Sequence, residues 1–225
     1  MIKEILQKGK NRQMLGRTHF FIGTAAALAV LQPQTVPALV AGAGAAAIGG
    51  LISDIDVGTS QAHRDADKII TATVAVAVLT ILAEYKLNLG IYRRLTSDSS
   101  VLRLLAGTAA FLLICAYGKQ QPHRSFMHSF AALALLTACV DIIYPDASAY
   151  FAVGFLSHLV LDFFNRKPEK LFWPWKKGFC LGFCSARGLV NRALLGCGMV
   201  SLAVVLVLSA PAGRLMAKIM RAIYG

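Results

Sequence analysis

His158 and Asp162 stand four residues apart in the run Ser157-His158-Leu159-Val160-Leu161-Asp162. On a helix that spacing brings imidazole and carboxylate to one face, where both can ligate the same metal ion. A second pair lies in His123-Arg124-Ser125-Phe126-Met127-His128-Ser129. Five residues apart, the two histidines would point about 140° from each other on a straight helix. They converge if His123 lies in a loop opened by Pro122 and His128 sits one turn into the helix that follows. Asp54-Ile55-Asp56 ends an apolar run with two carboxylates, which suits the bridging of two cations, or direct ligation with one carboxylate in support. His19 opens the first apolar run and His63 follows the second. The shared chemistry is metal binding. His19, Asp54, His63, His123, His128, His158 and Asp162 are the candidate ligands, with Asp56 as base or further ligand. Arg124 offers a planar fork of donors that can steady anionic charge.

Each residue has an ordinary alternative. A single histidine at a membrane boundary is an interfacial residue more often than a ligand, Asp54 and Asp56 could punctuate a helix end, and Arg124 could be a plain cytoplasmic cation. The gathering of all five histidines at one level of the chain is what the ordinary readings do not explain. Asp141, at the far end of its apolar run, reads as structural. Trp173, Pro174 and Trp175 beside Lys170, Lys176 and Lys177 read as an interfacial anchor on anionic lipid. Cys180 and Cys184 lack a second cysteine pair or a neighbouring histidine to make a metal or redox site. The chain has no Walker A loop, dinucleotide fingerprint, nucleophile elbow or His-Glu-x-x-His helix.

The elements that must position these groups are apolar. Of 225 residues, 56% are hydrophobic and 15% charged, with a mean hydropathy of +0.61. An average soluble domain is about 25% charged, so the composition points to a membrane protein. The length fits a single integral-membrane domain over 1–225. Apolar stretches at 18–31, 36–52, 69–82, 101–117, 126–144, 150–164 and 193–210 predict an all-α polytopic bundle of about six to seven helices. Several fall short of the ~20 residues that span a bilayer, which predicts tilted or partly inserted segments. The second stretch carries Ala41-Gly42-Ala43-Gly44-Ala45-Ala46-Ala47, a surface that lets helix backbones approach closely. Five cysteines lying mostly in or beside apolar runs do not make a disulfide framework. The basic N-terminus has the outline of a signal peptide, but no small-residue exit site follows, so cleavage is not expected.

The net charge of +12 is explained by a basic cytoplasmic face rather than by nucleic acid. With the N-terminus cytoplasmic, sixteen of the 23 Lys and Arg fall on the inner side, together with every histidine. Residues 86–103 are a basic exception on the outer side.

In this order, Thr18-His19, Asp54-Ile55-Asp56, the 123–129 run, Gly154-Phe155-Leu156-Ser157-His158-Leu159-Val160-Leu161-Asp162 and Trp173-Pro174 resemble a bacterial family of LexA-regulated inner-membrane proteins regarded as metal-dependent hydrolases. The resemblance covers most of the chain. It implies a polytopic hydrolase of the bacterial inner membrane with His and Asp metal ligands. Ser53 stands where the family pattern expects Pro, and Ser125-Phe126-Met127 replaces the more usual Gly-x-Thr; neither change removes a candidate ligand. The string of His and Asp is more faintly similar to the zinc-dependent phospholipase C and P1-type nuclease group, which would divide the ligands among two or three zinc ions.

The expected function is hydrolysis of a phosphate ester of phospholipid or polyprenyl phosphate type by metal-activated water at the cytoplasmic face. One to three divalent ions, zinc or manganese, would serve it. Paired cations about 3.5–4 Å apart would clamp the phosphoryl group. Membrane lipids are the expected partners and nucleic acid is not. The competing reading is a divalent-cation or proton transporter, or a scaffold, using the same cluster.

Overall fold

The computed structural model describes residues 16–56, 101–183 and 189–224, with single positions at 82, 86 and 90. Among the described residues the fold is all helical: α1 (Gly16–Leu31), α2 (Val36–Ile52), α3 (Val101–Gln120), α4 (Phe130–Ile143), α5 (Pro145–Phe163), α6 (Leu189–Leu208) and α7 (Ala210–Tyr224). Two short 3₁₀ turns, Ser53–Asp56 and Phe126–His128, complete the order. The predicted stretch 69–82 lies almost wholly outside the described residues, as does His63. The basic exception at 86–103 falls largely there too. α7 was not among the expected apolar runs, because its sequence is amphipathic rather than uniformly apolar.

Local chemistry fixes the helix ends. α1 closes where Gln32 adopts a left-handed φ of 43° and Pro33 blocks continuation. Thr35 then caps α2, its hydroxyl accepting from the Ala38 amide at 3.3 Å, with Pro37 in the first turn. Ser129 caps α4 by accepting from the Ala132 amide at 3.2 Å. Pro145 begins α5, and its first turn is tied to α4 by the Ser148 hydroxyl, which donates to Asp141 at 2.9 Å. Asp141 thus has a partner, and its role is structural.

α2 and α5 form the most extensive helix pair, flanked by α1 on one side and by α4 and α3 on the other. Their backbones nearly touch. A Cβ added at Gly154 would lie 2.2 Å from the Ala46 carbonyl, and one at Gly49 would lie 2.3 Å from the Phe151 carbonyl. Gly42 leaves room for the Tyr150 ring, 2.7 Å from where a Cβ would sit. The alternating Ala and Gly of α2 are therefore a packing surface. On either side of this contact, Phe151, Phe155, Leu136 and Met127 fill one core cluster and Leu28, Ala27 and Ala46 another.

The outer surface stays apolar. Leu105, Leu112 and Leu113 of α3 and Val200, Val204 and Val207 of α6 are exposed, as expected of helices that face lipid rather than water. Among the described residues, two helical segments, Val36–Asp56 and Leu189–Leu208, are long and apolar enough to cross a membrane. Six to seven spans are thus not confirmed: the stretch 69–82 lies outside the described residues, and other helices fall short for identifiable reasons. α1 and α4 are shorter, at 16 and 14 residues, or roughly 24 and 21 Å against a core of ~30 Å. α5 is longer but carries Asp146, His158 and Asp162.

The close α2–α5 approach makes a testable demand. Gly154→Val should destabilise the protein by about 3 kcal/mol or more, since the added carbons meet backbone rather than a movable side chain. Gly196→Val on α6, where nothing lies within 4 Å, should leave the detergent melting temperature nearly unchanged.

Candidate metal centre

Four elements meet at one end of the bundle. α1 brings His19 from its first turn, the 3₁₀ turn after α2 brings Asp54 and Asp56, α5 brings His158 and Asp162 near its end, and the turn before α4 brings His128. His123 and Arg124 precede that turn in the loop that Pro122 opens, where the Ser125 amide donates to the Pro122 carbonyl. Arg124 takes a left-handed φ of 62° there. His128 lies in the 3₁₀ turn just ahead of α4, one step earlier than the helical position expected for it. His19, Asp54, Asp56, Arg124, His128, His158 and Asp162 are all buried, while the His123 side chain is 21% exposed.

One oxygen each from Asp54 and Asp162 and one ring nitrogen each from His128 and His158 lie within 4.8 Å of one another. His128 Nε2 is 3.5 Å from both Asp54 Oδ1 and Asp162 Oδ2, and His158 Nε2 is 3.6 Å from Asp54 Oδ1. His158 Nδ1 faces the Gly50 carbonyl at 2.8 Å. A carbonyl only accepts, so that nitrogen carries the proton, and in the neutral ring Nε2 presents a lone pair. This lone pair faces His128 Nε2 at 3.3 Å. His19 stacks on His158 with centroids 3.9 Å apart, and its Nε2 is 3.7 Å from Asp162 Oδ1.

Asp56 sits behind this set and binds the loop. One oxygen meets His123 Nδ1 at 2.7 Å. The other accepts from the Arg124 amide at 3.1 Å and lies 3.3 Å from His128 Nδ1, a contact rather than an aligned hydrogen bond. Asp56, His123 and His128 form a second potential metal group that shares His128 with the first. The Arg124 guanidinium is committed inward, donating to Asp162 and to the Lys167 carbonyl, and its buried Nε has no partner. Three buried carboxylates, those of Asp54, Asp56 and Asp162, thus share this end of the bundle with one buried guanidinium, which pairs with Asp162. A dication would balance this excess and satisfy the converging lone pairs. The donor set of imidazoles and carboxylates suits zinc or manganese.

Residues 165–182 lie across this end as a strap. The Lys170 amide donates to the Arg124 carbonyl, the Phe130 amide to the Leu171 carbonyl, and the Leu181 amide to the Phe163 carbonyl. Glu169 and Phe179 form an isolated antiparallel bridge within it. Trp173, expected as a surface anchor, instead packs edge-on to Phe126 and Tyr117 at ring distances of 5.1 and 6.3 Å. Trp175 remains exposed. Cys180 is a free, exposed thiol.

Sequence reasoning missed Glu169, which is fully buried with neither carboxylate oxygen hydrogen-bonded. It stands in Arg166-Lys167-Pro168-Glu169-Lys170, where its neighbours read as a solvated basic loop. Burial pushes its carboxyl up to about 8, with the Asp162 charge adding to the rise while His128 and Arg124 oppose it. Burial works against a charge on His128 as well. There Asp56, Asp162 and Asp54 outweigh it and hold the imidazole's proton well above the usual histidine range.

All of these features describe an apolar-surfaced helical bundle with a buried His/Asp centre at one end. Over residues 14–223 the chain matches the YdjM inner membrane protein family, and it belongs to that family. No curated protein matches the chain, and no solved structure does.

A raised carboxyl has a defined signature in stability. Folding holds the Glu169 proton up to about pH 8, whereas the unfolded chain releases it near 4.5. Stability therefore falls as pH rises between those values, by about 1.4 kcal/mol per pH unit at most, and levels off above them. Glu169→Gln should remove that slope. Its melting temperature should match the wild type near about pH 5 and exceed it near about pH 9; parallel melting curves across this range would place the Glu169 carboxyl in contact with water.

Proposed function

We propose that the protein is a membrane-bound metal-dependent hydrolase acting on a phosphate ester of a lipid, of phospholipid or polyprenyl phosphate type. The observation that carries this reading is the convergence of Asp54, His128, His158 and Asp162, with the His158 proton already committed to the Gly50 carbonyl. A divalent cation bound there would supply Lewis acidity and a water acidic enough to attack at neutral pH. Because the two ligand groups share His128, a single ion in the Asp54/His128/His158/Asp162 set is the simpler assignment.

The chain's own groups divide the remaining work. Asp56 orients two imidazoles from behind, contacting His123 and His128 at their Nδ1 atoms. An imidazole fixed in this way by a carboxylate is a competent proton acceptor, and His123 is the partly exposed one. Arg124 neutralises Asp162 and ties the strap down, and its Nε–H, without a partner, is a donor left for an anionic group. His19, stacked on His158, fixes the plane of that ring. Exposed Phe172, Trp175 and Phe183 on or beside the strap offer an apolar surface next to the site, suited to a substrate whose tails remain in lipid.

A transport pathway would place the ionisable groups near the bilayer midplane with access to both faces. The cluster's position at the helix ends favours hydrolysis.

Metal analysis of detergent-purified protein separates the roles. His158→Ala and Asp54→Asn should lose stoichiometric zinc or manganese, whereas Asp56→Asn should retain it with affinity weakened roughly 10–100-fold. Wild-type protein in mixed micelles should release phosphate from phosphatidic acid or a polyprenyl phosphate, and a chelator should stop it. Stoichiometric metal without turnover of any phosphate ester would leave a structural or transport centre, and no metal after remetallation would remove the hydrolase reading.

A further inference from the structure

α7 is the part of the fold that the centre does not use. At 100° per residue, Arg214, Lys218 and Arg221 fall within an arc of about 60°, while Leu215, Met216, Ile219, Met220 and Ile223 occupy a separate arc of about 140°. The helix has no acidic residue. Leu215, Met216 and Met220 are exposed, and α6 is the main element that α7 packs against. Its 15 residues reach roughly 22 Å, too short to cross a bilayer core of ~30 Å.

The position of α7 follows from α6. Near its start, Asn191 of α6 accepts from the Thr18 hydroxyl, one residue from His19. At its end, Leu208 and Ser209 border an open cleft with Gln32, Pro33 and Leu39, at the far end of α1. Ser209 then turns the chain, its hydroxyl accepting from the Ala212 amide at 3.4 Å. α7 therefore emerges from a membrane-spanning helix, at the end of the bundle opposite the His/Asp centre.

We propose that α7 lies flat on the bilayer surface opposite the metal centre, its apolar arc in the acyl boundary and Arg214, Lys218 and Arg221 bound to anionic phospholipid headgroups. Two observations select this occupant: the wholly basic polar stripe, complementary to an anionic surface, and the direct continuity with a spanning helix that delivers α7 to that surface. α7 would set the depth of α6, and through the Thr18–Asn191 hydrogen bond the depth of α1 and its histidine.

The test is amide hydrogen exchange on the full-length protein, reconstituted in vesicles of phosphatidylcholine alone or of phosphatidylcholine and phosphatidylglycerol in equal parts. Exchange across 210–224 should be slower by roughly tenfold or more in the anionic vesicles, and added salt should shrink the difference. The triple variant R214Q/K218Q/R221Q should lose the dependence on lipid composition while exchange in α2 and α5 stays as in the wild type, which confirms the fold. Equal protection in both lipids would overturn the proposal. So would protection that rises with protein density at fixed lipid composition, the mark of a second copy on the same face.

Discussion

The contact on which the rest depends is the meeting of α2 and α5 at backbone distance. Without side chains at Gly49 and Gly154 the two helices can approach until one backbone rests on the other. That approach places the end of α2 beside the last turns of α5. The Gly50 carbonyl then reaches His158 Nδ1 at 2.8 Å, and Asp54, a few residues on, arrives opposite His158 Nε2. In lipid, where apolar burial gives helices little reason to associate, close packing of small residues is the main available attraction. The stretch with the least side-chain chemistry thus decides where the chemical groups meet.

Electrostatics constrains the same end of the bundle from another direction. Burying Asp54, Asp56 and Asp162 at one end with a single guanidinium, paired to Asp162, leaves negative charge uncompensated in a medium that solvates it poorly. A proton answers this in part, through the raised affinity of His128, while burial keeps Glu169 from adding a further negative charge. A protonated His128 has no lone pair at Nε2 to offer a metal, so cation and proton compete for one place. The strap belongs to the same balance. Arg124 donates both to Asp162 and to the Lys167 carbonyl, so the residue that offsets the centre's charge also fastens its cover.

The sequence was most legible where one spacing carried both structure and chemistry. His158 and Asp162 at helical spacing, the carboxylates at the end of α2, and the loop after Pro122 all lie where their positions suggested, and the Ala/Gly run is a packing surface. The shortness of α1 and α4 was legible too, and among the described residues two segments are long and apolar enough to cross. Glu169 stayed hidden. Its burial comes from a strap that folds back through backbone hydrogen bonds, and such bonds leave no trace in side-chain pattern. Trp173 was misplaced in the same way: an aromatic among lysines reads as interfacial unless the Phe126 and Tyr117 rings waiting for it are known.

The two ends of the bundle have different requirements. The end that holds the centre is crowded with committed groups: His158 on Gly50, Asp56 on the 123–124 loop, Arg124 on the strap. Movement of any of α1, α2, α4 or α5 there would separate ligand atoms that must stay within a few ångströms of one another. At the opposite end the described turns are built from caps and prolines, at Gln32–Thr35 and at Tyr144–Pro145. The two ends therefore differ in what a displacement would cost, because ligand geometry is at stake only at the centre. Helices of unequal length meet the bilayer by tilt or local thinning, and the close α2–α5 contact keeps the ligand-bearing ends together whichever is used.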